Sequence, residues 1–146
     1  SMVVALPSAH RLAQGAPAAA LSLKTLAGET FILFGDPHGD ALQRNGAFVA
    51  ACHAAGFTPR IGQVVPFISS RLNLIAAGLG IAVVAASLEH ARIEGVTFRP
   101  LKGAPQLKAP LSVAYRRSEG SPVVRQFLKL AKQTAMTFHA SAQKRS

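Results

Sequence analysis

Two periodicities alternate along this chain, and their order predicts its architecture. Val3-Val4-Ala5-Leu6 is a short continuous apolar run stopped by Pro7, and Phe31-Ile32-Leu33-Phe34 is a second. Such runs are what strands covered on both faces require. Gly35-Asp36-Pro37-His38-Gly39-Asp40 follows, with turn and helix-start chemistry: Pro37 suits a first helical position, and Asp36 or Asp40 can accept from unpaired N–H groups. The spacing then changes. Ala41, Leu42, Asn45, Phe48, Val49, Cys52 and Ala55 recur three or four residues apart, which is one face of a helix. Gly56 then Phe57, with Pro59 just beyond, fits a left-handed C-terminal cap with its hydrophobic contact.

Residues 60–65 read as the next strand, so strand, helix and strand occupy about 35 residues, the length of a parallel crossover unit. A second helix carries Ile68, Leu72, Ile75 and Leu79 on one side and stops at Gly78, and Gly80-Ile81-Ala82-Val83-Val84 is a third buried strand. Ser87 is placed to cap a short helix containing Leu88, Glu89 and His90, and two further strands are predicted at residues 96–101 and 111–117. Ser121-Pro122 opens a last helix with Val124, Phe127, Leu128, Ala131, Ala135 and Phe138 on one face and Arg125, Lys129 and Lys132 on the other. The Ala/Gly/Pro-rich residues 14–20 read as a loop. Alternating elements with buried strands predict an α/β fold with a mostly parallel sheet flanked by helices.

Composition narrows the class. With 146 residues, 49% apolar and 15% charged, the chain is one domain or a large piece of one. No apolar run approaches the ~20 residues needed to span a bilayer, so neither intrinsic disorder nor a membrane-spanning chain is expected. The N-terminus lacks a basic start, and its apolar stretch is too short for a signal peptide. Ser1-Met2 reads as a remnant ahead of a natural Val3. The single cysteine, Cys52, cannot form an internal disulfide and lies on an apolar stripe, where it reads as a small buried hydrophobe. Sixteen Lys and Arg against six Asp and Glu give a net charge of +10. That invites a nucleic-acid reading, but the basic residues are scattered rather than clustered, which points instead to a solvated basic surface. A preference for small anionic ligands is compatible with either.

The loop at residues 35–40 is the first candidate for chemistry. It leaves a buried strand and enters a helix, so free N–H groups and a positive dipole end converge where open α/β sheets collect ligands. The alternative is an ordinary capped turn. It is not a phosphate-binding P-loop, because Gly35 and Gly39 have the wrong spacing and Asp40 stands where Lys is needed. Asp36, His38 and Asp40 could hold a metal by spacing alone, but capping accounts for both acids, and no metal or other cofactor is expected. A Gly-x-Ser-x-Gly elbow is absent, and Ser69, Ser70 and Ser87 sit where helix capping is the default role. Gly78-Leu79-Gly80 precedes a strand rather than following one, unlike a dinucleotide fingerprint. His10, His53, His90 and His139 share no spacing that points to a site. The chain is not expected to be an enzyme.

Taken in order, these segments resemble the C-terminal effector-binding domain of LysR-type transcriptional regulators. Leu6-Pro7-Ser8-Ala9-His10-Arg11-Leu12-Ala13 is similar to the family's Leu-Pro-x-x-His-Pro-Leu-Ala segment, with Arg11 in place of the usual Pro. Leu23, Leu26, Gly28 and the run Phe31-Ile32 resemble its approach to a strand. Ala54-Ala55-Gly56-Phe57-Thr58-Pro59 and Leu74-Ile75-Ala76-Ala77-Gly78-Leu79-Gly80-Ile81-Ala82-Val83-Val84 are typical of it, although Ala85-Ala86 stands where a Pro commonly follows. The resemblance runs from about Val3 to Lys132.

The resemblance implies a type II periplasmic-binding-protein-like lobe plus part of a second. On that pattern residues 1–7 are a hinge strand from lobe one, 8–85 are lobe two complete, 86–139 return to the C-terminal part of lobe one, and 140–146 are a polar tail. It implies a bacterial, cytoplasmic regulator that binds a small effector between its lobes, self-associates as a dimer or higher oligomer, and contacts DNA only through a winged helix-turn-helix outside these residues. The effector-contacting positions that match are Gly35, Asp36, Pro37, His38 and Gly39 after one strand, and Pro66, Phe67, Ile68 and Ser69 after the next. Asp36 opposes a carboxylate effector unless it caps the helix, and Phe67 faces either an aromatic or apolar part of a ligand or the core. Two other readings stand beside this one. The apolar face at Val124, Phe127, Leu128 and Ala131 could make the chain an interaction unit that recruits another copy, and the charge could make it a direct nucleic-acid binder.

Overall fold

The run Phe31-Ile32-Leu33 is wholly buried because helices cover its sheet on both sides, and the rest of the fold is arranged around it. The computed structural model describes residues 1–16, 19–39, 45–109, 113–116 and 120–143, with side chains as far as 135. Ser1–Pro110 and Leu111–Ser146 form two units.

In the first unit the strands are β1 (Met2–Pro7), β2 (Leu21–Ser22), β3 (Thr30–Phe34), β4 (Arg60–Val65), β5 (Ala82–Ala85) and β6 (Val96–Lys102), with helices α1 (Gly46–Ala54) and α2 (Ile68–Ala76). β3 and β4 pair in parallel from Thr30↔Arg60 to Phe34↔Val65, with a bulge after Phe31. Ile81 joins β3 in the same parallel sense, its N–H donating to Thr30 O at 2.8 Å and its carbonyl accepting from Ile32 N–H at 2.9 Å. The crossover wiring expected between residues 31 and 84 is therefore present. The sheet as a whole is mixed rather than mostly parallel, because β1 runs antiparallel to both its neighbours, β5 and β6. An apolar run such as Val3–Leu6 does not reveal this, because burial on both faces marks a central strand and does not encode direction.

The two faces carry separate cores. Phe31, Leu33, Ile81, Val83, Val4 and Leu6 pack with Phe48, Ala51 and Cys52 of α1. Phe31 meets Phe48 edge-on at 5.0 Å between ring centres and stacks near Phe57 at 6.4 Å. On the other face Ile32, Ala82, Val84, Val3 and Ala5 pack under Leu72 and Ile75 of α2. Arg99 is also buried. Its Nη1 donates to Leu12 O at 3.1 Å and its Nη2 to Ala19 O at 2.8 Å, which ties the segment after β1 to the sheet.

Several boundaries differ from the sequence pattern. α1 begins at Gly46, and residues 40–44, which include the expected first turn with Asp40, Ala41 and Leu42, lie outside the described residues. α2 ends at Ala76, so Leu79 lies past the cap and is exposed. Ser87 caps nothing: a 3-10 turn spans Ala86–Ala91 and its N-cap is Ala85. Of the strand expected at 111–117, residues 113–116 form none, and 111, 112 and 117 lie outside the described residues. In the second unit, α3 (Pro122–Gln143) has Val124, Leu128 and Ala131 half-buried as expected, but Phe127 joins Val123 and Leu130 as an exposed stripe.

Two outcomes follow for stability. A methyl group at Gly80, where φ is +155°, would sit 2.6 Å from the carbonyl oxygen of Thr30, whereas at Gly28 it would meet nothing within 4 Å. Gly80→Ala should therefore cost about 2 kcal/mol or more in urea unfolding while Gly28→Ala stays within about 0.5 kcal/mol. Burial pushes the Cys52 thiol up from 9.0 to about 11. Its contribution to stability is thus full below about pH 9 and lost as pH rises through 11. Iodoacetamide should label Cys52 only at the rate of global opening, and fast labelling of the native chain at pH 8 would contradict its burial.

Candidate functional site

Parallel pairing of β3 with β4 sets their carboxyl ends side by side, and both expected loops leave from that edge. Gly35 is buried and its N–H donates to Val65 O at 2.9 Å, one rung past the Phe34↔Val65 pair. Asp36, Pro37, His38 and Gly39 follow, all exposed. The Asp36 Oδ1 accepts from His38 N–H at 2.9 Å and its carbonyl from Gly39 N–H at 3.1 Å, so the carboxylate is held by its own turn. A Cβ at Gly39 would press on the Asp36 Cβ at 3.1 Å, which favours glycine there. Asn45 Nδ2 donates to Phe34 O at 2.8 Å and fixes the tip of β3.

From β4, Pro66, Phe67, Ile68 and Ser69 are also exposed. Phe67, the N-cap of α2, is extended at φ −121°, ψ 139° and offers no side-chain cap. Neither Ser69 nor Ser70 is the N-cap, contrary to the default role for serines at a helix start. The first N–H groups of α2 thus receive no cap from the Phe67 side chain, at the positive end of the helix. Phe67 is 65% exposed, which removes it from the core and leaves its ring on the rim with Phe34, 42% exposed at the end of β3. The structure thus places all nine residues singled out in the sequence on one edge of the sheet, eight of them exposed and Gly35 buried.

Three features were not singled out from sequence. Phe34 reads only as the last residue of an apolar run, yet its ring is on the rim. Arg71 is nine-tenths buried: its Nε donates to Ile32 O at 2.7 Å and its Nη2 to Val83 O at 3.3 Å. The signal for it was a charge within the Ile68, Leu72, Ile75 stripe. His10 was assigned no partner, but its Nδ1 accepts from Leu12 N–H at 3.2 Å, so its Nε2 carries the proton given to Glu29 Oε2 at 3.1 Å. Arg11 donates to the other oxygen of Glu29 at 2.6 Å. With Arg60, Gly78 and Gly80, His10 and Glu29 line a shallow cavity of about 150 Å³ at the amino-terminal edge of the strands, the opposite end from the rim. Among the described residues no three His, Cys, Asp or Glu side chains group as a metal site, and no helix is long and apolar enough to cross a membrane.

An α/β sheet with two crossover connections and a loop-and-helix-tip wall at its carboxyl edge is the architecture of the ligand-binding lobes of the type II periplasmic-binding fold. The family model "LysR substrate binding domain" matches residues 1–136, and the chain belongs to that family. It is 31% identical over 129 residues to the transcriptional regulator BudR of Raoultella terrigena, covering 88% of this chain and 42% of BudR. Among solved structures it is similar to the LysR family regulator CbnR, with a TM-score of 0.73 at 22% identity over 92% of this chain and 44% of that one. It is also similar to the effector-binding domain of BenM with its effector benzoate, with a TM-score of 0.60 at 24% identity over 72% and 46%. The chain spans less than half the length of these relatives.

The turn at the rim predicts a simple stability result. Asp36→Ala should cost about 1 kcal/mol by losing the acceptor for His38 N–H, whereas Asp36→Asn, which keeps an acceptor oxygen, should stay within a few tenths, as read from thermal unfolding.

Proposed function

We propose that this chain is the ligand-sensing part of a LysR-type transcriptional regulator, and that residues 35–39 and 66–69 form one wall of its effector site. The observation that carries the reading is the placement of both loops on one exposed edge, with the rings of Phe34 and Phe67 and the uncapped N-terminus of α2 among them. Such a wall suits a small ligand with an apolar ring and a polar or anionic group. In this reading residues 8–85 are one lobe, 1–7 and 86–139 belong to the crossover and to part of the other, and 140–146 are a polar tail. The opposite wall belongs to the other lobe. DNA contact and control of transcription in the cytoplasm belong to a full-length regulator, acting as a homodimer or higher oligomer. The effector acts only through contacts that differ between lobe arrangements. The chain is thus a sensor and not an enzyme, in keeping with the transcriptional regulators it resembles.

Thermal unfolding with benzoate and other small aromatic acids tests this. A ligand at a hundred times its Kd should add about 2.7 kcal/mol of stability, and Phe67→Ala, which leaves the core untouched, should abolish the shift without lowering the Tm of the free chain. No shift with any aromatic acid, or an unchanged shift in Phe67→Ala, would remove the rim as the site.

A further inference from the structure

Resting on that reading, one buried residue narrows the chemistry of the ligand. In a regular parallel ladder continuing from the Phe31/Ile81 bridge, Ile32 O would accept from Val83 N–H, and Val83 O from Phe34 N–H. β5 instead follows β1, and Arg71 stands at the next rung: its Nε takes the Ile32 carbonyl and its Nη2 the Val83 carbonyl. The side chain is 7% exposed, and the ion pairs among the described residues, His10–Glu29 and Arg11–Glu29, do not include it. Burial lowers its pKa from 12.5 to about 10, so at neutral pH it remains a cation.

The position matters as much as the charge. Ile32 and Val83 lie two residues below the strand tips at Phe34 and Ala85, a rise of about 7 Å. Ligands of open α/β sheets lodge where neighbouring strands part at their carboxyl ends. Here the floor of that parting is a buried guanidinium bonded to neutral carbonyls and faced by no carboxylate of the described residues. Among the described residues the acid on the rim is Asp36, which is exposed and committed to its own turn, so water screens it. An anionic ligand group above the floor meets an uncompensated positive charge through protein rather than through water.

We propose that Arg71 is a specificity-determining, positioning residue of the rim site, and that the effector class it selects is small organic carboxylates over their uncharged analogues. The test measures Kd by calorimetry for matched probes, benzoate against benzamide and salicylate against salicylamide, on the wild-type chain, Arg71→Met and Arg71→Lys. The wild type should prefer each acid by at least about tenfold. Arg71→Met should lose most of that preference while still binding the amides, and Arg71→Lys, which keeps the charge, should retain it. A purely structural role would weaken acid and amide alike and leave their ratio unchanged. The proposal is overturned by a wild type that binds acid and amide equally, a result that holds even where Arg71→Met fails to fold, or by an Arg71→Met chain that keeps the preference. A wild type that binds none of the four probes overturns the rim-sensor reading itself, and this proposal with it.

Discussion

The architecture depends on the double use of the segment from Ile81 to Ala85. At its start it is the parallel neighbour of β3, and within two residues it has become the antiparallel neighbour of β1. Because backbone groups on successive residues point to opposite sides, one short strand can serve both partners. It thereby joins the crossover unit of β3 and β4 to the strands β1 and β6. Without that shared segment the two sheets would be separate, and the cores on their faces would be divided with them. Val83 packs with the α1 side and Val84 with the α2 side, so the same stretch also links the two hydrophobic clusters.

The switch has a cost in unmade ladder bonds, and the chain meets it with an arginine where the stripe of α2 otherwise carries leucine and isoleucine. Burying a guanidinium without an acid is unfavourable, and backbone carbonyls offset it only in part. The arrangement stands near the edge that carries the exposed rings of Phe34 and Phe67. Stability and recognition thus meet in one residue.

Most of this was legible in the chain's pattern. The runs at 31–34 and 81–84, the stripe through Phe48 and Cys52 and the glycine stop at Gly56 each fixed an element, because local periodicity and capping are encoded within a few residues. The loop at residues 35–40 was legible for the same reason, as the segment that follows a buried strand, whereas residues 66–69 were picked out by the family resemblance. What was not legible is what depends on partners distant in sequence. The direction of β1 is set by Val83 and Arg99, some eighty and ninety-five residues away, and an all-apolar tetrapeptide carries no trace of it. The roles of Arg71 and His10 were hidden because a long polar side chain reads as solvated until its carbonyl or carboxylate partner is known. Phe34 was hidden because the end of an apolar run looks the same whether its ring points inward or outward.

Thr30, at the foot of β3, is flanked closely by two glycines: Cβ atoms would lie 2.5 Å from its Cγ2 at Gly62 and 2.6 Å from its carbonyl oxygen at Gly80. Neither neighbouring strand can carry bulk there, whereas further along β3 its pairing with the segment at Val83 is interrupted by the Arg71 side chain. β3 and β4 stay paired to their tips while β3 and the Val83 segment part, so the opening lies on one side of β3 alone.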